Sequence, residues 1–416
     1  MAYPWRFRHI SMKELLNGAL QKVVYFSPQT SFSVRFWDGD EKKYGRGPNK
    51  FKIVIRSEWA IKRMLTGGSL AFGEEYMAGN IEVEGDLQAL TSLYDDWQKA
   101  AGRMFFGAGM VVAARRWLKL LPLNFSDKKN IRHHYDIGND FYSRWLDPTM
   151  TYSCAYFKDR GDSLETAQNN KHEHICRKLR LKPGQTLADI GCGWGGMMFY
   201  ATKVYGVKCV GYTLSENQYE SVKGRIIKED LGNQIEVYLD DYRKAKGSFD
   251  KFVSIGMFEH VAKRHYPEFF AAARRLLKPK GTGVLHTIGT VFDKPTDPWV
   301  EKYIFPGGFV PPLPLVLGNI NKSGLVFYDV EDLRPHYGMT LDAWIKNFEA
   351  DAENIRKIVV ARLRDEKQAD DFMRMWRLYL NGSAASFKNA GNRLYQVIFT
   401  NGPDNDLPLT RDYIYR

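Results

Sequence analysis

The feature that most constrains this chain is a glycine-rich turn at residues 187–196, which reads Leu-Ala-Asp-Ile-Gly-Cys-Gly-Trp-Gly-Gly. A short apolar run precedes the glycines, and a helical pattern follows them at 197–205. Such a turn lets the backbone approach a nucleoside cofactor closely, and its amides and the helix N-terminus favour a polar or anionic group. Sites for NAD, FAD and S-adenosylmethionine all use a turn of this kind.

Two details favour S-adenosylmethionine over NAD. Asp189 stands just before Gly191, where its carboxylate can face the cationic amino-acid end of S-adenosylmethionine. The next predicted strand, 208–214, lacks the acidic residue that would hold an NAD ribose. We therefore predict an S-adenosylmethionine site at this turn.

From about residue 131 the pattern alternates between strands and helices. Such alternation predicts an α/β, Rossmann-like domain, in which a parallel sheet is covered on both faces and the cofactor binds at the carboxyl ends of the strands. A last pair, around 395–400 and at the chain end, is expected to complete the sheet antiparallel. The predicted strands are 186–191, 208–214, 235–240, 249–255 and 283–288, with helices that include 215–230 and 259–277.

The pattern divides the chain into three segments. Residues 1–98 are predicted to form a smaller mixed α+β domain, 99–130 a basic amphipathic linker and 131–416 the cofactor domain. Between 99 and 132 there are eight Lys or Arg residues and one acidic residue, so this stretch holds seven of the twelve excess positive charges. A basic surface attracts polyanions, and both nucleic acid and anionic lipid are open as partners at this point.

The apolar part of the linker, 104–114, is flanked by Arg, Lys and Trp. That composition suits a segment lying in a membrane interface, and it suits a linker helix buried between domains equally well. No stretch of the chain approaches the ~20 apolar residues that a spanning helix needs. The first residues carry no apolar signal core, and the four cysteines form no CxxC pair. We expect a cytoplasmic protein without a metal site.

A second apolar segment, 305–318, is rich in Pro and Gly. Its composition argues against regular structure, and an apolar loop inside a compact domain is more often a lid than a defect. We expect it to form the entrance for an apolar substrate. The segment after the fourth predicted strand, 254–261, lacks the Asn-Pro-Pro-Tyr or Asp-Pro-Pro-Tyr of enzymes that methylate base amines or glutamine.

Single residues leave structural alternatives open. Glu259 is compatible with an ordinary acid at a helix start. Ser215 and Gln218 have the spacing of a capping box, and Gln218 can also serve the cofactor. His286 inside a strand is compatible with a core histidine, and Cys154 with a small buried residue.

Taken in order, however, eight motifs resemble those of the cyclopropane-fatty-acyl-phospholipid synthase family, which is similar to the mycolic acid cyclopropane synthases. They cover the chain from residue 131 to about 400, and the added N-terminal segment is similar to a lipid-docking domain. The motifs are His-His-Tyr-Asp-Ile-Gly-Asn-Asp-Phe-Tyr at 133–142, Met-Thr-Tyr-Ser-Cys-Ala-Tyr-Phe at 150–157, the glycine turn, Thr-Leu-Ser-Glu-Asn-Gln at 213–218, Met-Phe-Glu-His-Val at 257–261, Leu-His-Thr-Ile-Gly at 285–289, Tyr-Ile-Phe-Pro-Gly-Gly at 303–308 and His-Tyr-Gly-Met-Thr-Leu at 336–341.

The resemblance implies a class I S-adenosylmethionine-dependent methyltransferase fold and a reaction on lipids. A methyl group passes from S-adenosylmethionine to a cis double bond in an unsaturated phospholipid, and the ring closes with loss of a proton. The cation formed on the way needs a dry site and is stabilised by aromatic faces. Candidates for that lining are Tyr135, Phe141, Tyr156, Phe258 and Tyr337.

The resemblance also implies the residues of the site. A bound bicarbonate serves as the base, contacted by the side chains of Glu259, His286 and Tyr337 and by the backbone of Cys154 and Ile288. A direct Glu or His base fits the residue spacing as well. The implied cofactor residues are Tyr152, Ser153, Asp189, Gly191, Gly193, Thr213, Gln218, Asp241 and Tyr242.

The implied partners are bilayers of unsaturated phospholipid with an anionic surface, at the inner face of the membrane, and a second copy of the chain in a homodimer. No nucleic acid partner is expected. One alternative is a related alkene methylation that gives a methyl- or methylene-branched acyl chain, since ring and branch diverge only after methyl transfer. Two others are a basic nucleic-acid methyltransferase and a lipid-binding protein without catalysis.

Overall fold

The computed structural model of the chain describes residues 11–93, 138–291, 293 and 295–415. The predicted linker 99–130 lies outside these residues and stays a prediction. The described chain forms two compact units. The first contains residues 11–93, 297–299 and 365–390, and the second contains the remaining described residues.

The helices and strands are numbered along the chain. The strands are β1 Phe32–Arg35, β2 Glu41–Tyr44, β3 Phe51–Ile55, β4 Ile81–Gly85, β5 Thr186–Ile190, β6 Lys208–Thr213, β7 Ile235–Leu239, β8 Phe249–Ile255, β9 Leu277–Thr290, β10 Val326–Asp332 and β11 Asn392–Thr400. The helices are α1 Met12–Phe26, α2 Glu58–Met77, α3 Asn139–Tyr142, α4 Leu164–Leu179, α5 Gly196–Tyr205, α6 Glu216–Lys228, α7 Tyr266–Leu276, α8 Pro298–Tyr303, α9 Leu313–Lys322, α10 Arg334–Ala350, α11 Ala352–Leu363, α12 Glu366–Asn389 and α13 Asp412–Tyr415, with a further helical stretch at 87–93.

The first unit is a small mixed α+β structure. Its sheet has the order β2-β1-β3-β4, in which β1 and β3 are parallel and the other pairs antiparallel. The rings of Tyr44 and Phe51 stack on that of Phe32, with centroids 5.2 and 5.0 Å away, and anchor the core. Helix α1 begins at a capping box between Ser11 and Glu14, which satisfies two amides at the helix start.

Helix α12 belongs to this first unit and packs against α2. The Arg374 guanidinium lies over the Tyr76 ring, 4.6 Å from its centroid, and donates to the carbonyl oxygens of Tyr76 and Ile81. The predicted boundaries placed this stretch in the domain 131–416. Helix α2 is kinked at Gly68, whose positive φ of 59° turns the chain between two helical parts.

The second unit is α/β, as predicted. Its seven-stranded sheet has the order β10-β11-β9-β8-β5-β6-β7. The pairs from β9 to β7 are parallel, and β11 and β10 are antiparallel additions at one side. Because the glycine turn connects β5 to α5, it lies at the carboxyl edge of the parallel strands, where such sheets bind ligands.

Three local predictions in this unit are wrong. The partner of β11 is β10 and not the chain end, where only a short helix, α13, forms. The helix predicted at 259–277 starts only at Tyr266, after two 3₁₀ turns, because Pro267 fits the first turn of a helix and would break an interior. The segment predicted to be irregular at 305–318 contains the start of α9, whose prolines occupy positions that a helix start tolerates.

Among the described helices, none has both the length and the apolar character needed to cross a bilayer.

Candidate active site

The glycine turn has the backbone conformation that its glycines allow. Gly191, Gly193 and Gly195 have φ values of 78°, 56° and 80°. A Cβ atom on Gly191 would lie 2.5 Å from the Met257 side chain, whereas one on Gly193 would meet nothing within 4 Å and would enter open space. The Gly191 amide donates to the Tyr212 carbonyl oxygen at 2.9 Å, which ties the turn to β6.

A cleft in the second unit lies over this turn. The structure brings all nine predicted cofactor residues to its wall. The space at Gly193 is open because glycine has no side chain to fill it, so a nucleoside cofactor can approach the backbone closely there. The nine residues are Tyr152, Ser153, Asp189, Gly191, Gly193, Thr213, Gln218, Asp241 and Tyr242.

The start of α6 shapes one side of the cleft. The Ser215 hydroxyl caps the helix by accepting from the Gln218 amide at 3.4 Å, so half of the predicted capping box is present. The other half is absent, because the Gln218 side-chain oxygen instead accepts from the Thr213 hydroxyl at 2.8 Å. That contact holds the Gln218 side chain at the cleft wall.

Two carboxylates in the cleft differ in their partners. Asp241 forms an ion pair with Arg243, with 2.6 Å between Oδ2 and the guanidinium. Asp189 is buried, and its Oδ1 has no hydrogen-bond partner in the described part of the chain. Burial raises the pKa of Asp189 to about 7, opposed by the charge of Lys171. A buried carboxylate oxygen without a donor fits a cationic ligand group.

Glu259 lies beside the cleft, next to His260 in its wall. Its Oε1 accepts from the Ile288 amide at 2.5 Å, and its Oε2 is buried without a partner in the described residues. Burial raises the pKa of Glu259 to about 7, opposed by the Ile288 hydrogen bond. Glu259 is therefore able to exist as a neutral acid near pH 7, which lets it share a proton with a bound anion.

His286 lies in β9, the strand next to β8. It pairs in register with Ile255, which lines the cleft, and is 1% exposed. Its Nδ1 accepts from the Gln396 side-chain amide at 3.0 Å, and its Nε2 has no partner in the described structure. Burial lowers the pKa of His286 well below the ordinary value, and the charges of Lys171 and Lys178 add to that effect.

The chain at Cys154 is tied to the helix that contains Tyr337. The Thr340 hydroxyl accepts from the Ala155 amide at 3.0 Å, which fixes the chain beside Cys154 to α10, where Tyr337 also lies. Cys154 is fully buried, and burial raises the pKa of its thiol far above the ordinary value. Cys154 is thus a poor nucleophile, which suits the backbone contact assigned to it.

Of the five predicted aromatic lining residues, the structure describes four, and none of these four lines the cleft. Phe258 stacks on Tyr266 with centroids 4.2 Å apart inside the core, and Tyr156 lies between His174 and His336. Phe141 packs on Tyr142 and Trp145. Tyr135 lies outside the described residues.

A larger aromatic cluster contributes side chains to the cleft wall instead. Trp194 of the glycine turn packs on Tyr142 at 5.2 Å, and Tyr152 packs on Trp344 at 5.2 Å. Both Tyr152 and Trp194 line the cleft, so this cluster contributes aromatic side chains to the cleft wall. The cluster includes two of the predicted residues, Phe141 and Tyr337. Its members are Phe141, Tyr142, Trp145, Tyr152, Trp194, Tyr337, Trp344 and Phe348.

Comparison with known families decides between the classes that use such a cleft. Residues 124–397 match the family described as mycolic acid cyclopropane synthetase. The chain belongs to this family. Residues 19–101 match a domain family of unknown function, DUF7884.

Relatives extend the match over most of the chain. The cyclopropane-fatty-acyl-phospholipid synthase of Escherichia coli (strain K12) is 38% identical over 86% of this chain and 90% of its own length. A probable fatty acid methyltransferase of Pseudomonas putida is 34% identical over 92% of this chain and 96% of its own length. The crystal structure of mycolic acid cyclopropane synthase CmaA1 complexed with SAH and CTAB has a TM-score of 0.61 at 33% identity, covering 67% of this chain and 99% of that one.

These similarities establish the chain as an S-adenosylmethionine-dependent methyltransferase with a class I fold. S-adenosylmethionine is its co-substrate, as the glycine turn predicted.

This cyclopropane synthetase family member has buried polar residues at the cleft that sequence analysis did not identify. Lys171 and His172 line the cleft from α4, and the Lys171 ammonium donates to the Ser153 hydroxyl at 2.9 Å. Gln168, one turn earlier, donates to the carbonyl oxygens of Thr151 and Ser153. They lie on one face of the helix, and because a polar face ordinarily predicts exposure to solvent, the sequence carries no signal for their burial.

Proposed function

We propose that this enzyme transfers a methylene group from S-adenosylmethionine to the cis double bond of an unsaturated phospholipid acyl chain, with bound bicarbonate taking the proton. The observation that carries the proposal is the pair of buried, unpartnered polar atoms beside the cofactor cleft, Glu259 Oε2 and His286 Nε2. Unpaired buried polar atoms are costly, and a small anion with donor and acceptor oxygens would satisfy both.

The cleft residues would hold the co-substrate for attack by a weak nucleophile. S-adenosylmethionine supplies an electrophilic methyl group on a sulfonium. Asp189 offers a buried carboxylate to its cationic end, and Gly193 leaves space for close backbone approach. Holding the methyl carbon in line with an alkene, which is a poor nucleophile, removes much of the entropic barrier.

The aromatic cluster suits the charge that develops on the acyl chain. When the alkene carbon bonds to the methyl carbon, the carbon–sulfur bond breaks and the other alkene carbon becomes cationic. Tyr152 and Trp194 place aromatic side chains at the cleft wall. Aromatic rings there would stabilise a cation and exclude water. A hydroxyl adduct is thereby avoided, so the cation survives until a proton is lost.

Ring closure then requires a base for a carbon-bound proton. The transferred carbon loses one proton, and its bonding electrons form the second ring bond. Bicarbonate supplies that base when bound, with Glu259, His286, Tyr337 and the backbone of Cys154 and Ile288 as its proposed contacts. The Ile288 amide already donates to Glu259 Oε1 and orients that carboxylate, so its contact with bicarbonate would be a shared hydrogen bond.

A second product class is supported by one of the relatives. The Pseudomonas putida protein is named a probable fatty acid methyltransferase, and it covers 92% of this chain. In such a reaction the same cation loses its proton elsewhere and a branched acyl chain results. The alternative uses the same cleft and differs only in the fate of the cation.

We also propose that the enzyme works as a homodimer at the anionic inner membrane surface. The net charge of +12, concentrated between residues 99 and 132, supports attraction to anionic lipid. In the first unit, Trp59 is 59% exposed and the Lys62 ammonium lies 5.6 Å from its ring centroid. Aromatic and basic side chains together suit a membrane interface.

The proposal is tested with the full chain, S-adenosylmethionine and vesicles of dioleoylphosphatidylglycerol. We expect acyl esters that coelute with a cyclopropane standard in gas chromatography, and a rate that falls in carbonate-free buffer and returns on adding bicarbonate. Branched esters would support the alternative product. No modified ester under any condition would refute both. Hydrogen exchange on residues 99–122 with these vesicles, and with RNA as the comparison, tests the membrane partner.

A further inference from the structure

A row of polar side chains extends from His286 across three adjacent strands. Antiparallel pairing places Gln396 of β11 directly opposite His286 of β9, and Glu331 of β10 opposite Gln396. Lys178 reaches this row from α4, which packs on the same sheet. Gln396 is 0% exposed and Lys178 is 2% exposed, so water does not substitute for their contacts.

The chemistry of Lys178 determines how the Gln396 amide is oriented. The Lys178 ammonium donates to Gln396 Oε1 at 2.8 Å and to the Glu331 carboxylate. An ammonium can only donate, so the atom that it contacts on Gln396 must be the carbonyl oxygen. The amide nitrogen therefore faces His286 Nδ1, at 3.0 Å.

The oriented amide in turn determines the tautomer of His286. The Gln396 NH₂ group donates, so Nδ1 must accept, and a neutral imidazole then carries its proton on Nε2. A proton on Nδ1 would place two donors face to face in a buried site.

We infer that Lys178 and Gln396 are positioning residues that lock His286 as a neutral Nε2–H donor, so that His286 orients the base and is not itself the base. The inference rests on the proposed function for the reaction that it serves. With Nδ1 occupied and Nε2 protonated, His286 has no free lone pair to accept a proton from the substrate. The residue spacing allowed a direct His base, and this arrangement argues against it.

Nitrogen NMR of the full chain labelled with ¹⁵N-histidine reads the tautomer directly. His286 signals are assigned by their loss in His286→Gln. We expect the Nε2–H form in the unmodified protein near pH 7. A proton on Nδ1, or a doubly protonated ring, would overturn the inference.

Gln396→Glu keeps the side-chain shape and replaces the donor with an acceptor. We expect the His286 signals to change to the Nδ1–H or the charged form. Turnover should fall by about 10²- to 10⁴-fold, as when supporting groups of functional histidines are altered, while S-adenosylmethionine affinity stays the same. Gln234→Glu makes the same change at an exposed turn and should leave the His286 signals and turnover unchanged. An unchanged tautomer in Gln396→Glu would count against the lock.

If Gln396→Glu does not fold, the spectrum of the unmodified protein decides alone. The two proposals also fail separately. An Nε2–H tautomer in a protein that forms no modified lipid supports the lock and refutes the proposed function. Cyclopropane formation by a protein with the proton on Nδ1 supports the proposed function and refutes the lock.

Discussion

The Glu259 carboxylate and the Ile288 amide form a hydrogen bond of 2.5 Å that connects the turn after β8 to the strand β9. This bond uses Oε1 and leaves Oε2 buried without a partner in the described residues. The fold therefore orients the carboxylate through one oxygen and leaves the other available to a ligand. An acid that only caps a helix start does not need this arrangement. Its role is open to direct test.

Glu259→Gln should reduce turnover on phospholipid vesicles by about 10²- to 10⁴-fold, the usual range for loss of a proton-transfer group. The amide keeps the size of the side chain but cannot share an acidic proton with an anion. Affinity for S-adenosylmethionine, measured by calorimetry, should not change. Glu220→Gln, on the exposed face of α6, is the matched control. Normal turnover in Glu259→Gln would remove the site assignment.

The same variant should alter stability in a pH-dependent way. Burial raises the pKa of Glu259 to about 7 from 4.5, so its contribution to stability is complete below pH 4.5 and is lost as the pH rises through 7. Relative to the unmodified protein, Glu259→Gln should gain about 1 to 3 kcal/mol in unfolding free energy between pH 5 and pH 8. Urea unfolding in carbonate-free buffer measures this. A difference in unfolding free energy that does not depend on pH would show that burial does not raise the pKa of Glu259.

Gly193→Ala should weaken S-adenosylmethionine binding by about tenfold, because the new methyl group occupies cofactor space at an energetic cost of about 1.4 kcal/mol or more. Gly79→Ala is the control, since Gly79 also has a positive φ, 78°, and open space around its Cβ position. Both variants carry similar backbone strain, so only the first should alter the dissociation constant in calorimetry. Equal effects on binding would mean that strain explains the result.

Lys171→Met should both destabilise the protein and weaken S-adenosylmethionine binding. The ammonium holds Ser153 at 2.9 Å and lowers the pKa of the buried Asp189. We expect a loss of about 1 to 3 kcal/mol in unfolding free energy, as for other buried polar groups that lose a partner. Lys228→Met, at an exposed position of α6, should change neither quantity. Unaltered binding in Lys171→Met would remove Lys171 from the cofactor site.

The sequence predicted those parts of the fold that local residue types determine. The turn at 187–196 needs glycine at positive φ, and Ser215 caps a helix, so both show in the residue types. The strand β8 was predicted with its bounds, Phe249–Ile255, in which four of the seven residues are apolar and Gly256 follows directly.

The parts that sequence analysis missed depend on tertiary contacts. Helix α4 buries Gln168, Lys171 and Lys178, and residue type alone would place these on a solvated face. Their partners are 15 to 218 residues away along the chain. The antiparallel strand β10 was also missed, since its pairing with β11 depends on the sheet edge and not on a local signal.

The central claim is that a methyl group is delivered to a lipid double bond and then loses one proton to a base. S-adenosylmethionine with a fully deuterated methyl group, given to the full chain with vesicles of dioleoylphosphatidylglycerol, tests this most directly by mass spectrometry of the acyl esters. We expect cyclopropane esters in which the transferred carbon has lost one deuterium. Esters that keep every deuterium in a methyl branch, or lipid without any label, would contradict it.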